Sequence, residues 1–157
     1  MPAVMRRVCS AMVNHKVYRM QPEMSLSTHE RGRAAEVSVS AFLEMKGYKL
    51  LARNYSVAHL GELDLVMRRA QTQADKTISA VPMLTVVEVK ARQDSVRYGG
   101  AVAALTPAKL KRIRLATLHF QQKFHFMNNS VELLAALVQL DKQGHVQNIE
   151  IIPIEWQ

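Results

Sequence analysis

Apolar side chains follow two kinds of spacing along this chain, helical in two segments and strand-like in five. The first helical segment begins at Ser27 and Glu30, which have the Ser-x-x-Glu spacing of a capping box. The pattern predicts a helix from Ser27 to about Lys46, and Gly47 ends it. The apolar stripe of this helix consists of Ala35, Val39, Phe42 and Leu43.

The second helix is predicted near the middle of the chain. Thr106 is a suitable N-cap, Pro107 suits the first helical turn, and the helix should run to about Phe124. Apolar runs bounded by turn residues predict five strands, at 48–55, 59–67, 83–91, 131–140 and 146–154.

The order of these elements is helix, three strands, helix and two strands. The first three strands indicate an antiparallel meander, and the return through a helix indicates that a later strand joins the sheet in parallel. Residues 68–81 and 99–107 are predicted as connections. The fold class that follows is α/β, with a mixed β-sheet and helices packed against it.

Composition narrows the class of protein. Hydrophobic residues make up 48% of the 157 residues, which excludes a disordered chain, and no apolar run is long enough for a membrane helix. A single cysteine, Cys9, excludes an internal disulfide framework and favours a cytoplasmic location. The net charge of +8 favours an anionic partner such as nucleic acid, although charge alone supports a merely basic protein equally well.

Residues 1–26 differ from the rest, because they have no clear amphipathic period and hardly any acidic residues. They are predicted to be a disordered extension or the product of a start codon assigned too early. Residues 27–157 are predicted to form a single domain.

Charged residues interrupt two of the predicted strands. Side chains alternate along a strand, so Glu62 and Asp64 share one face, and Glu88 and Lys90 share one face of the next strand. If the strands pair with these faces aligned, Asp64, Glu88 and Lys90 converge in a cleft on a polar face of the sheet, outside the buried core. Glu36 borders the inward face of the first helix and could join them. The opposite faces would pack as core through Leu63, Leu65, Val87 and Val89.

Such a cluster has a chemical use. Carboxylate oxygens suit Mg²⁺, and also Mn²⁺, which can polarise a phosphate and activate water, while a lysine offsets developing charge. For either strand alone a structural explanation is favoured, namely a solvated cross-strand pair of Glu88 and Lys90, or Glu62 capping a turn. The combination of both strands favours a metal-dependent nuclease.

The stretches "ERGRAAEVSVSAFLEMKGYKLLARNYS", "GELDLVM" and "VVEVKARQDSVRYGGAVAALTPAKLKRI" resemble the YraN family, also called UPF0102. That family is similar to Holliday-junction resolvases and to PD-(D/E)XK nucleases, and the resemblance implies a restriction-endonuclease-like fold. It also implies Asp64, Glu88 and Lys90 as the core triad, with Glu36 as the helix acid and Glu62 as an accessory acid. The chain departs from the family pattern at Ala35, where the family often has Gly, and at "ELL" (132–134), where it often has Arg-Phe-Asp.

The expected function is therefore metal-dependent endonuclease cleavage of DNA, including branched DNA, rather than RNA. Phosphate contacts are predicted from four cations of the second helix, with Arg92 as an accessory, and a homodimer is compatible with this. The four helix cations are Lys109, Lys111, Arg112 and Arg114. Two alternatives stay open: a nucleic-acid-binding module without catalysis, and an assembly partner in which the charged cluster only joins strands.

Overall fold

The computed structural model describes residues 27–69, 83–93 and 105–155. The predicted extension at 1–26 therefore lies outside the described residues, and the predicted connections at 68–81 and 99–107 do so for the most part. The helices and strands in chain order are α1 (Thr28–Met45), β1 (Tyr48–Val57), β2 (Gly61–Arg69), β3 (Met83–Arg92), α2 (Pro107–Lys123), β4 (Ser130–Leu140) and β5 (Val146–Ile154). No helix within these three ranges is long and apolar enough to cross a membrane.

Both helices begin where their capping residues predict. The Ser27 hydroxyl accepts a hydrogen bond from the Glu30 backbone N–H, and Glu30 returns one by accepting from the Ser27 N–H at 2.8 Å. At α2 the Thr106 hydroxyl accepts a hydrogen bond from the Lys109 backbone N–H. Gly47 follows α1 with φ +88°, a backbone conformation that only glycine adopts without strain. The predicted positions of both helices are thus confirmed to within one residue.

The five strands form one mixed sheet in the order β1-β2-β3-β4-β5. β1, β2 and β3 pair antiparallel as a meander, β4 then joins β3 in parallel, and β5 pairs antiparallel with β4. The predicted topology is confirmed. An α/β sheet flanked by two helices in this way is consistent with a restriction-endonuclease-like fold.

Each face of the sheet is covered by one helix. The α1-side cluster packs α1 against alternate residues of the sheet, and its largest strand members are Leu65, Met67, Val87, Leu134, Val138 and Leu140. The α2-side cluster packs Ile113, Ala116 and Phe120 of α2 against the other face. The prediction of a polar sheet face is therefore wrong, because both faces are apolar and helix-covered.

Regular alternation also fails at one point of β2. Leu63 lies in the α2-side cluster and Leu65 in the α1-side cluster, although a regular strand would direct both to the same face. Both leucines are buried in the core as predicted, but the prediction that they share one face is wrong. The pairing of β2 with β3 covers residues 65–68 only, and before Leu65 the strand pairs with β1 alone. Asp64 lies within this irregular stretch.

Candidate active site

Asp64 is held where β2 and β3 separate. Residues 65–68 of β2 pair with residues 84–87 of β3. After Val87 this pairing ends, so the N–H of Val89 has no backbone partner in β2. The Asp64 Oδ2 atom accepts a hydrogen bond from that N–H at 2.7 Å. A carboxylate thus takes the place of a backbone carbonyl, which explains how β2 tolerates Asp64 beside two buried leucines.

Glu88 is buried beside two lysines. Its side chain is only 3% exposed, and Oε1 accepts from Lys90 Nζ at 2.6 Å and lies 3.1 Å from Lys109 Nζ. The two lysines are only partly exposed, and Lys109 comes from the first turns of α2. The alternative of a solvated cross-strand pair is therefore wrong for Glu88 and Lys90. The carboxylate lies inside the fold, and two ammonium groups balance its charge.

Burial and charge act together on the Asp64 carboxyl. Burial raises the pKa of Asp64 to about 6, and the negative charge of Glu88 adds to the increase. The hydrogen bond from Val89 and the charges of Lys109 and Lys90 act in the opposite direction. Asp64, Glu88 and Lys90 therefore lie within electrostatic reach of one another, as the sequence predicted, and the two carboxylates repel each other.

Glu36 is not part of this group. It lies half-buried on α1, which packs on the sheet face opposite α2, and its Oε2 atom is buried without a hydrogen-bond partner. Across the three described ranges, no group of three His, Cys, Asp or Glu side chains is positioned to hold a metal ion. The structure therefore brings together two of the three predicted metal ligands, Asp64 and Glu88.

The four predicted cations of α2 do not form one surface. Lys109 and Arg112 line a groove of about 500 Å³ whose other wall is the β1–β2 turn, residues 56–62. Arg114 lines a different pocket, and Lys111 is exposed. Residues two apart on a helix point about 200° from each other, so Arg112 and Arg114 lie on opposite flanks.

Glu62 and Arg92 lie at the margins of the site. Glu62 is exposed and lines the same groove as Lys109 and Arg112. Arg92 is exposed at the end of β3. Neither contacts the Asp64–Glu88 group in the described part of the chain, so the accessory roles of Glu62 and Arg92 remain predictions.

The sequence pattern that defines the family described as "Uncharacterised protein family UPF0102" matches residues 35–146. This range covers most of the chain and contains every residue of the site. The chain belongs to the UPF0102 family. The site described above is therefore carried by the part of the chain that defines the family.

Individual UPF0102 proteins are similar over most of their own length. The chain is 32% identical to a UPF0102 protein of Neisseria gonorrhoeae over 111 residues, which are 71% of this chain and 85% of the relative. It is 31% identical to one from Neisseria meningitidis, over 77% of this chain and 95% of the relative. A UPF0102 protein of Cupriavidus pinatubonensis is 38% identical over 64% of this chain and 70% of the relative.

The structure shows how this UPF0102 chain accommodates the "ELL" stretch. Glu132 accepts a hydrogen bond from the Thr85 hydroxyl at 2.6 Å, and the Tyr48 hydroxyl lies 3.5 Å from the same oxygen. Burial, followed by the charge of Glu132, raises the pKa of Tyr48. Leu134 is buried in the α1-side cluster. Glu132 and Leu134 thus serve hydrogen bonding and packing at this position of β4.

Two contacts of the site were not predicted from the sequence. Lys109, which was predicted to contact phosphate, forms an ion pair with Glu88. The Val89 backbone N–H donates a hydrogen bond to Asp64. Only the lysine had a sequence signal, the acid-free first turn of α2. A third polar contact, 2.8 Å between the Tyr55 hydroxyl and His119 Nδ1, lies among aromatic rings and was not anticipated.

The contact between Lys109 and Glu88 predicts a loss of stability when the ammonium is removed. We expect Lys109→Met to lower the free energy of unfolding by about 1–2 kcal/mol without divalent metal, because a buried carboxylate loses one of two cationic partners. Methionine keeps the length and helix propensity of lysine. Urea unfolding measures the change, with Lys111→Met as the matched control. Equal stabilities of the two variants would contradict the assigned contact.

Proposed function

We propose that this UPF0102 protein hydrolyses phosphodiester bonds in DNA with the help of a divalent cation, Mg²⁺ or Mn²⁺. The observation that carries the proposal is the meeting of the Asp64 carboxylate with the Glu88–Lys90 pair at the point where β2 and β3 separate. Two acids and a lysine in one partly exposed site are the groups that such hydrolysis needs.

The donor set fits a hard divalent cation. Asp64 and Glu88 supply carboxylate oxygens, and the repulsion between them is a cost that a cation would relieve. Glu36 lies on the helix that covers the other sheet face, so the proposed ligand set consists of Asp64 and Glu88 alone. When bound, the cation supplies charge to polarise the phosphate and lowers the pKa of its water.

The remaining chemistry belongs to the two lysines. The Lys90 ammonium, 27% exposed beside Glu88, would orient the attacking water and offset charge that grows on the phosphate. Lys109 balances Glu88 from the other side and borders the groove next to the site. A Lys109 ammonium on Glu88 competes with a divalent cation for the same oxygen.

The substrate assignment rests on charge. The chain carries a net charge of +8, and Lys109 and Arg112 line a groove directly beside the acids. DNA, with its dense negative charge, is the partner that this arrangement favours. One observation favours a second candidate, a DNA-binding module without catalysis: Glu88 already has two lysine partners, which is also what a structural ion pair would show.

Cleavage assays separate the two candidates. Purified protein is incubated with labelled duplex, single-stranded and four-way-junction DNA in Mg²⁺, in Mn²⁺ and in EDTA. We expect cleavage of at least one substrate with a divalent cation and none in EDTA or with Asp64→Asn. Glu44→Gln, which neutralises an exposed acid of α1, serves as the matched control and should cleave like the parent. DNA binding without any divalent-dependent cleavage would establish the second candidate.

A further inference from the structure

We propose that the groove between the β1–β2 turn and α2 is a binding site for one phosphodiester unit of the DNA strand, next to the bond that is cleaved. This rests on the proposed function for the class of ligand, and it assigns a place and residues to the contact. The Lys109 and Arg112 side chains would bind the phosphate oxygens, while Glu62 lies on the opposite wall.

The size and the charge of the groove suit such a unit. About 500 Å³ is within the range of protein sites that take small ligands. Lys109 and Arg112 are three residues apart on α2, so their side chains leave the helix on the same side, about 60° apart. Two adjacent cations beside an open groove can bind one phosphate together, and arginine can do so with two parallel hydrogen bonds.

A close contact holds the two walls of the groove together. Gly61 has φ +141°, and a Cβ atom at this position would lie 3.2 Å from the Arg112 Cβ. Only glycine allows the turn to approach α2 so closely with this backbone conformation. The backbone of Arg112 is therefore fixed against Gly61 at the start of β2. Gly61 lies three residues before Asp64 in the sequence. This packing sets where the Arg112 side chain leaves α2 relative to the start of β2.

Lys109 connects the groove to the candidate active site. Its ammonium lies 3.1 Å from Glu88 Oε1, and the same side chain lines the groove. A DNA strand whose phosphate contacts the Lys109 ammonium therefore lies close to the Glu88 carboxylate, because the same ammonium contacts both groups. This is the spacing expected when the bound phosphate neighbours the reacting one along the strand.

Glu62 gives the two walls of the groove opposite charges. Its carboxylate is exposed and repels phosphate, which leaves the side of Lys109 and Arg112 for the anion and the side of Glu62 for uncharged parts of the nucleotide. Removing the two charges should therefore have opposite effects. Arg112→Gln should weaken DNA binding, whereas Glu62→Gln should strengthen it.

The experiment measures binding without cleavage. Fluorescence anisotropy of a 5′-labelled single-stranded DNA is recorded in EDTA over a range of salt concentrations for the parent and three variants. We expect Arg112→Gln to raise Kd about tenfold and to reduce the salt slope by about 0.7, which corresponds to one lost phosphate contact on a single strand. Glu62→Gln should lower Kd about two- to threefold.

Lys111→Gln is the matched control, because it removes a positive charge one position away on the same helix but outside the groove. Its Kd should change by less than twofold. Equal effects of Arg112→Gln and Lys111→Gln would overturn the proposal and indicate general attraction to a basic helix. Because the assay needs neither metal nor hydrolysis, a failure of cleavage leaves this result intact, and a failure of this test leaves the cleavage result intact.

Discussion

Asp64→Asn should make the metal-free protein more stable than the parent above pH 6, by about 2 kcal/mol. The pKa of Asp64 is about 6 in the folded protein and about 3.9 in an unfolded chain. Between these values the folded protein holds a proton that the unfolded chain has lost, so the parent loses stability as pH rises from about 4 to 6. The loss is about 2–3 kcal/mol at most, and it stays constant above that range.

Asparagine keeps the hydrogen bond and removes the charge. Its Oδ1 atom can accept from the Val89 N–H as the carboxylate does, so the separation of β2 and β3 should be preserved. Urea unfolding in EDTA at several pH values between 4 and 8 measures the difference between variant and parent. The difference should grow in favour of Asp64→Asn up to pH 6 and then level off, while Glu44→Gln runs parallel to the parent. A pH-independent difference would show that Asp64 is not destabilised by its surroundings.

Lys90→Met should remove DNA cleavage and leave metal binding in place. The ammonium is assigned to the water and the phosphate, so its loss should lower the rate by about 100-fold or more. Glu88 would keep Lys109 as a partner, so the site should remain folded. Methionine has nearly the length of lysine and fits a partly buried strand position.

Calorimetry with Mn²⁺, combined with the cleavage assay, distinguishes the roles. Asp64→Asn and Glu88→Gln should both weaken Mn²⁺ binding and abolish cleavage, whereas Lys90→Met should abolish cleavage only. Lys90→Met and Lys109→Met each remove a competing ammonium from Glu88, so neither variant should bind Mn²⁺ more weakly than the parent. If all variants bind Mn²⁺ like the parent, the acids have a structural role and the protein is a binding module.

The architecture could be predicted from the sequence because the residue patterns that indicate its helices and strands are local. Ser27 with Glu30, and Thr106 with Pro107, identify the helix starts within a few residues of chain. The parallel addition of β4 follows from the helical connection alone. The sheet face that Leu63 packs on could not be predicted, because alternation holds only along a regular strand, and β2 is irregular where it leaves β3 and pairs with β1 alone.

The candidate site could likewise be predicted in part from the sequence. Asp64, Glu88 and Lys90 could be grouped because they lie on consecutive strands, whose relative position alternation and topology determine. Lys109 could be predicted as a contact for an anion but not as a partner of Glu88, since that requires the distance between α2 and β3. Glu36 was placed correctly on the inward side of α1, yet which sheet face α1 covers is a tertiary property.

The parallel pairing of β3 with β4 has a consequence for the order of folding. The β1–β2–β3 meander joins segments that are close in sequence, whereas β4 reaches β3 only after a connection from Arg92 to Ser130 that includes α2. Closing this loop costs chain entropy before the pairing can compensate for it, so the meander should form first. Glu88 would then be present with Lys90 before Lys109 arrives. The docking of α2 is therefore the step that buries Glu88 and completes the ion pair.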